Sequence, residues 1–523
     1  MPVTAFTSKT YVGAVVVCNN IRPKRFAHPV RDCSLATVIR AGPALREFAL
    51  PSNGSSPVSR CGECMSASSA SWHWRAKEWT RGCKRGVLSR LAMMRATRQS
   101  FLTRQAMNHG PDRQIAGRLS VVLAICAPLL WLLAAAVSAD DQIAAAAVKD
   151  AKAEEAWLRH GFTGAQRDKI RAALQLGIDQ KFVPGGALLI IHRGEPILRE
   201  GFGVASLETR QPFTIDAPCR IASVTKPHTS TLIAMLVEQG KLSWDDPVDK
   251  YLPTFAGIAV RDKGPATRTP KVRELLSHTA GFPGQPAIDS GRWKIKSNGM
   301  LADAVADLPA QGLAAEPGTV YAYTGLGYMV AGRIAELVAG KEYGALMKEM
   351  LLEPIGAKAA TFYPSDELKG RMPTAYERKD GEFVKLDPTS RPRAAPAFPN
   401  PAGSLISTVD DVGRFLMLHR NRGQVDGKLL VKPESLQALY QRQPATGRTS
   451  YGLGFNVLKV NSQGEGIRVR HTGASGTFAQ LDFENDLIFV LLTQVPQTQT
   501  QPFRDGLLKA VAEVFSSADS GAE

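Results

Sequence analysis

Ser223 and Lys226 lie three residues apart in RIASVTKPHTSTLIAMLVEQG, residues Arg220 to Gly240, where apolar positions begin to recur with helical spacing. Leu232, Ile233, Leu236 and Val237 mark one face of a helix that ends at Gly240. A helix beginning near Ser223 puts residues i and i+3 on the same face, so an amine lies beside a hydroxyl. That pairing suits nucleophilic catalysis. A serine hydroxyl attacks well only when a base takes its proton, and a lysine serves once burial and neighbouring positive groups favour its neutral form. The helix start also directs N–H groups and positive potential at the oxyanion that forms after attack. An isolated SxxK arises by chance about once or twice in a chain of this length, so taken alone the pair reads equally as a polar helix start with a solvated lysine.

The composition has to be divided before it informs function. The 523 residues carry a net charge of +16, but residues 1–106 hold 17 Lys and Arg against 4 Asp and Glu, or 13 of those charges. Residues 107–139 add one more, which leaves two for everything after Ala139. A near-neutral remainder with no recognisable nucleic-acid module excludes a basic nucleic-acid-binding protein. Six of the seven cysteines precede residue 127, so no disulfide forms within the C-terminal part, and Cys219 reads as a small buried apolar side chain. The pair in CGEC at 61–64 has no second pair at a matching distance, so neither a metal nor a cofactor is expected.

Between the two regions, Leu119 to Val137 is uncharged and apolar, preceded by Arg113 and Arg118 and closed by the small residues of Val137-Ser138-Ala139. This is the pattern of an export signal cleaved after Ala139, and it implies a periplasmic or secreted protein. At 19 residues the run is also long enough to serve as an uncleaved membrane tether. Counted from Met107, the signal has ordinary proportions, so residues 1–106 read as a misassigned start or as a basic unstructured extension. The organisation expected is therefore 1–106 extension, 107–139 signal peptide or anchor, 140–162 linker or helix, and 163–518 the main folded domain.

The elements that must position Ser223 and Lys226 follow from the pattern of the remaining chain. Thr163 to Lys181 reads as a helix, and GALLIIHRG and PILREGFGVAS as two strands around the turn Arg193-Gly194-Glu195. Helical patterns at 271–278, 300–308 and 327–339 follow, separated by Pro- and Gly-rich stretches. Strand signals return in YGLGFNVLKV, GIRVRH, GTFAQLDFE and DLIFVLLTQ, and a last helix has Phe503, Leu507, Leu508, Val511 and Phe515 on one face. Strands at both ends with helices between them give an α+β fold, a sheet assembled from the two termini of the domain with an inserted helical lobe. The length after residue 140 suggests two subdomains.

Five motifs occur in one order: SVTK at 223–226, ELLSHTAGFPG at 274–284, EPGTVYAYTGLGYMVAGRI at 316–334, PAGSLISTVDDVGRFL at 401–416 and HTGASGTF at 471–478. In this the chain resembles the serine β-lactamase and penicillin-binding protein superfamily, in its class C-like branch of DD-carboxypeptidases, D-aminopeptidases and β-lactamase-fold esterases. The resemblance spans about residues 165–515 and implies the β-lactamase/transpeptidase-like version of the α+β fold, with an antiparallel sheet flanked by helices.

The resemblance also implies an acyl-enzyme on Ser223, with Lys226 and Tyr323 exchanging protons, and an oxyanion hole built from the backbone N–H groups of Ser223 and Ala474. His471, Thr472 and Gly473 match the family's third motif and are expected to bind substrate, with the histidine facing the pocket and the glycine letting substrate lie along the strand edge. Tyr321 reads as packing, and His278 in SHTAG as a structural turn. Gly325 departs from the family pattern: it stands where the third residue of YxN supplies a side-chain amide to the substrate. The loss weakens recognition of acylamino substrates and favours an esterase-like reading. The expected activity is thus hydrolysis of an ester, amide or lactam, with a small molecule or a peptidoglycan-type fragment as substrate. A β-lactamase or DD-carboxypeptidase is one alternative, and a catalytically silent binding or sensor domain is an alternative of another class.

Overall fold

The computed structural model describes residues 152–291, 299–387, 398–445 and 450–519, together with the backbone of an isolated antiparallel pair, Ala14–Val17 with Ser34–Thr37. The chain divides into two units, Met1–Trp131 and Leu132–Glu523. The apolar run 119–137 lies outside the described residues, and no described helix is long and apolar enough to cross a membrane.

The second unit is built on a six-stranded antiparallel sheet. Its strands are β1 (Gly185–His192), β2 (Glu195–Gly203), β3 (Asn456–Val460), β4 (Gly466–Gly473), β5 (Thr477–Asp482) and β6 (Leu487–Leu492), in the spatial order β3-β4-β5-β6-β1-β2. The first strand of the domain thus pairs with its last, with Ile488 opposite Ile191 and Leu492 opposite Ala187. Every residue of β1 and β6 is buried, which marks them as central strands covered on both faces.

The period-two alternation of β1 sorts its residues between two cores. Leu188 and Ile190 join the cluster made with α1 (Gly164–Asp179) and α5 (Gln497–Asp519), which includes Ile170, Leu174, Phe503, Leu507 and Val511. Gly177 is required in α1 because a Cβ there would meet the Phe503 ring at 2.3 Å. Thr163 starts α1 with a capping box, its backbone N–H donating to the Gln166 side chain at 2.7 Å. Ala187, Leu189 and Ile191 join the other cluster, which continues into the helical region through Leu232, Leu276, Tyr328 and Leu351. Because that core is shared, the sheet and the inserted helices form one unit rather than two separable subdomains.

Three further helices organise the inserted part: α2 (Thr225–Glu238), α3 (Leu326–Ala339) and α4 (Val409–Arg420). The sequence pattern gives α2 one buried face, whereas all twelve residues from Thr225 to Leu236 are buried. The difference comes from polar residues whose side chains find partners inside the protein, Ser230 Oγ being the exception. Thr229 Oγ1 donates to the Pro401 carbonyl at 2.6 Å, Thr231 Oγ1 to the Pro227 carbonyl at 3.0 Å, and His228 stacks on Phe415 at 3.7 Å.

Candidate active site

Ser223 occupies a one-turn 3-10 segment, Ala222–Val224, that runs directly into α2. Its neighbour Ala222 has a positive φ of 46°, a conformation that costs a non-glycine residue about 1–2 kcal/mol and turns the chain sharply out of the short strand Cys219–Arg220. That strand pairs with Ile406–Ser407 and brings the segment from Asn400 to Leu405 alongside. Leu405 accepts from the Ile221 N–H at 3.1 Å and donates to Thr225 Oγ1 at 3.3 Å, so the PAGS motif is fastened to the start of the nucleophile helix.

Lys226 Nζ lies 3.1 Å from Ser223 Oγ and donates to the Ala402 carbonyl at 2.7 Å. It is only 2% exposed, and its amine stands 5.0 Å and 5.4 Å from the ring centroids of Tyr323 and Tyr328. Burial holds its pKa at about 7 instead of the usual 10.5, so the neutral amine is readily populated near neutral pH. Burial alone accounts for the shift; no cationic neighbour is needed. Burial keeps the Tyr323 phenol protonated well above the ordinary range, with the nearby Ser223 side chain pulling its pKa the other way. Serine, lysine and tyrosine thus meet in one place, with the amine 3.1 Å from a half-buried hydroxyl and 5.0 Å from the tyrosine ring centroid.

The strand end of HTGASG closes the other side. Gly473 packs so tightly that a Cβ would meet Thr477 Oγ1 at 2.1 Å and the Ile221 carbonyl at 2.5 Å. Its role is therefore to let β4 approach the Ser223 turn, in addition to any contact with substrate at the strand edge. Ala474 is exposed just past the strand, and Gly476 N–H donates to the Gly473 carbonyl at 3.0 Å. Among the described residues no hydrogen bond uses the backbone N–H of Ser223 or Ala474, and the former belongs to the first turn of a helix, where such groups have no intrahelical partner. The pair is available to an oxyanion.

The structure adds detail at three of the other residues singled out in the sequence. His471 is 2% exposed, and both its ring nitrogens have partners inside the protein. Its Nδ1 lies 2.8 Å from the Thr472 carbonyl and must donate to it, so Nε2 accepts from the Tyr451 hydroxyl at 2.9 Å. Burial, then the Lys226 charge, lowers its pKa to about 3, and the imidazole stays neutral. Thr472 is half-buried beside it. Gly325, at the start of α3, has an ordinary right-handed φ of −82°, so positive φ is not what selects glycine there. A Cβ would have one close neighbour, the Ala402 Cβ at 3.2 Å. His278 does sit in a turn, with φ of 60°, but its ring is also surrounded by those of Tyr321, Tyr323, Tyr328 and Tyr451.

Two contributors escape the sequence reading. Ala402 acts through its carbonyl, which no side-chain pattern reveals. Tyr451, in YGLGF, contributes the hydroxyl that meets His471 Nε2, and Gly454 of the same motif, at φ 98°, lies so close to α2 that a Cβ would strike Ser230 Oγ at 2.4 Å. The glycines of that motif were the available signal. Among the described residues no group of three or more His, Cys, Asp and Glu is arranged to hold a metal ion.

This geometry agrees with the comparisons with known proteins. The family model described as Beta-lactamase matches residues 137–513, and the chain belongs to that family of serine hydrolases. Penicillin-binding protein 4 of Amycolatopsis lactamdurans is 31% identical over 312 residues, covering 56% of this chain and 75% of its own. The D-alanyl-D-alanine-carboxypeptidase/endopeptidase AmpH of Escherichia coli strain K12 is 26% identical over 361 residues, covering 63% and 84% respectively. Among solved structures, EstCE1, a hydrolase with promiscuous acyltransferase activity, has a TM-score of 0.58 at 24% identity over 66% of this chain and 98% of its own, a likeness of fold.

Proposed function

We propose that this protein is an exported acyl hydrolase that cleaves esters in preference to acylamino substrates, by way of an acyl-enzyme on Ser223. The observation that carries the reading is the Lys226 amine, 2% exposed and 3.1 Å from Ser223 Oγ, where burial favours its neutral form. Neutral Lys226 takes the hydroxyl proton as Ser223 attacks the acyl carbon, and the oxyanion is received by the N–H groups of Ser223 and Ala474. Tyr323 passes this proton from Lys226 to the leaving group, giving up its own and taking one from the lysine, and the same groups in reverse activate the water that releases the acid.

Two features support the preference for esters. Gly325 offers no side-chain amide to a substrate's acylamino group. The neutral His471 has both nitrogens engaged, so it offers no cation to a substrate carboxylate. Cell-wall-type substrates are the second reading, favoured by the names of the relatives, a penicillin-binding protein and a D-alanyl-D-alanine-carboxypeptidase/endopeptidase. Export rests on the sequence pattern of residues 107–139.

The test is a panel of p-nitrophenyl esters, nitrocefin and D-alanyl-D-alanine peptides with the purified protein. The ester reading expects the highest kcat/KM on a short-chain ester. A higher value on nitrocefin or the peptide would transfer the assignment to the second reading, and no turnover or acylation on any of them would leave a silent binding domain.

A further inference from the structure

The segment that carries Tyr323 has few regular hydrogen bonds of its own, since it lies between turns and the start of α3. Three contacts hold it. Gln285 N–H donates to the Tyr323 carbonyl at 2.9 Å, and the two residues flanking Tyr323 both donate to His278. Ala322 N–H meets the His278 carbonyl at 2.9 Å, and Thr324 N–H meets His278 Nδ1 at 3.2 Å. The His278 ring also packs against Tyr323, with centroids 4.4 Å apart.

The protonation state follows from the same contacts. A ring nitrogen that accepts from a backbone N–H carries no proton, so in the neutral imidazole the proton sits on Nε2. That nitrogen is buried without a hydrogen-bond partner. A histidine chosen only to fill a core would have both nitrogens satisfied, and this one gives up a hydrogen bond at Nε2 while keeping the acceptor at Nδ1. The positive φ of 60° turns the carbonyl and the ring of one residue toward the same short segment.

We propose that His278 is the positioning residue for Tyr323: its carbonyl and Nδ1 grip the backbone on both sides of the tyrosine and aim the phenol at Ser223. His278 touches neither substrate nor Ser223 in this role, and it transfers no proton. The proposal rests on the assignment of Ser223 and Tyr323 made above.

The test compares His278→Asn, His278→Leu and His278→Gly in the full protein, using kcat and KM on the best ester and hydrogen exchange at the Thr324 amide. Asparagine places an acceptor near the position of Nδ1 and tolerates positive φ, so it retains most of the turnover and keeps the Thr324 amide protected. Leucine keeps the bulk without the acceptor, and glycine keeps the backbone conformation without either. Both lose about tenfold or more in kcat with KM changed by less than about threefold, and both expose the Thr324 amide. In a Tyr323→Phe background the leucine and glycine substitutions cost little more, because the group they misplace is already gone.

Folded leucine or glycine variants with wild-type kcat would overturn the proposal, as would an asparagine variant that falls as far as leucine. A wild-type protein that neither turns over substrate nor forms a Ser223 adduct would instead remove the assignment beneath it. Exchange at Thr324 would then still decide whether His278 holds the segment.

Discussion

At the scale of single residues, the chemistry depends on a lysine that gives up its charge. Burial lowers the Lys226 pKa to about 7, and the neutral form is the base, so activity must rise as pH increases through about 7. The kcat/KM profile is expected to lose about tenfold per pH unit well below that midpoint. Tyr323 is held protonated far above the usual phenol range, so it contributes no alkaline limb between pH 8 and 10, roughly the span below an ordinary tyrosine pKa. An acid limb centred near the normal lysine range would contradict the role given to Lys226. The same scale holds the selectivity argument at Gly325. Restoring the amide with Gly325→Asn recovers one hydrogen bond of about 0.5–1.5 kcal/mol, so the ratio of kcat/KM for β-lactam or D-alanyl peptide over ester rises roughly 2-fold to 13-fold. The backbone there accepts asparagine at φ −82°, and the Ala402 Cβ at 3.2 Å is the one contact that must give. An ester-active, folded variant with an unchanged ratio would show that Gly325 does not set selectivity.

At the scale of elements, the site is a meeting of four pieces, and their legibility in the sequence differed for physical reasons. The strands β1 to β6 and helices α1 and α5 were readable from their apolar patterns and the turns or caps at their ends. The nucleophile helix was readable in extent but not in environment. Its threonines, His228 and Lys226 look solvent-facing in a periodicity argument, yet they are buried by partners contributed from residues 400–440. Ala402 and the acceptor role of the His278 ring were invisible because a backbone carbonyl or a ring nitrogen's partner leaves no pattern in one sequence. The placement of β4 against the Ser223 turn gives a prediction at this scale. Gly473→Ala forces a methyl group into the Ile221 carbonyl and Thr477, so the variant should lose about 1–3 kcal/mol of stability and most of its turnover. Thermal unfolding and ester turnover measured together check this; wild-type values for both would mean that the strand does not need to approach so closely.

At the scale of the whole molecule, the unit Leu132–Glu523 contains every residue of the site, and the family match from 137 to 513 falls within the same span. Residues 1–106 are therefore expected to be dispensable, and expression from Met107 should give an exported, active protein of the same mature size. Peptides from residues 1–106 recovered from the native protein by mass spectrometry would contradict the start-site reading. The shared core between sheet and helices makes the catalytic unit indivisible, so activity should be lost in one transition with the fold. The central claim is that Ser223 is the nucleophile. Its most direct test is mass spectrometry of the intact protein after incubation with a fluorophosphonate, followed by peptide mapping, in parallel with Ser223→Ala. The account predicts one adduct per chain, located on Ser223, and neither adduct nor turnover in a Ser223→Ala protein that keeps its fold, since the Ser223 side chain makes no capping hydrogen bond at the start of α2. An adduct on another residue, or turnover retained by Ser223→Ala, would contradict it.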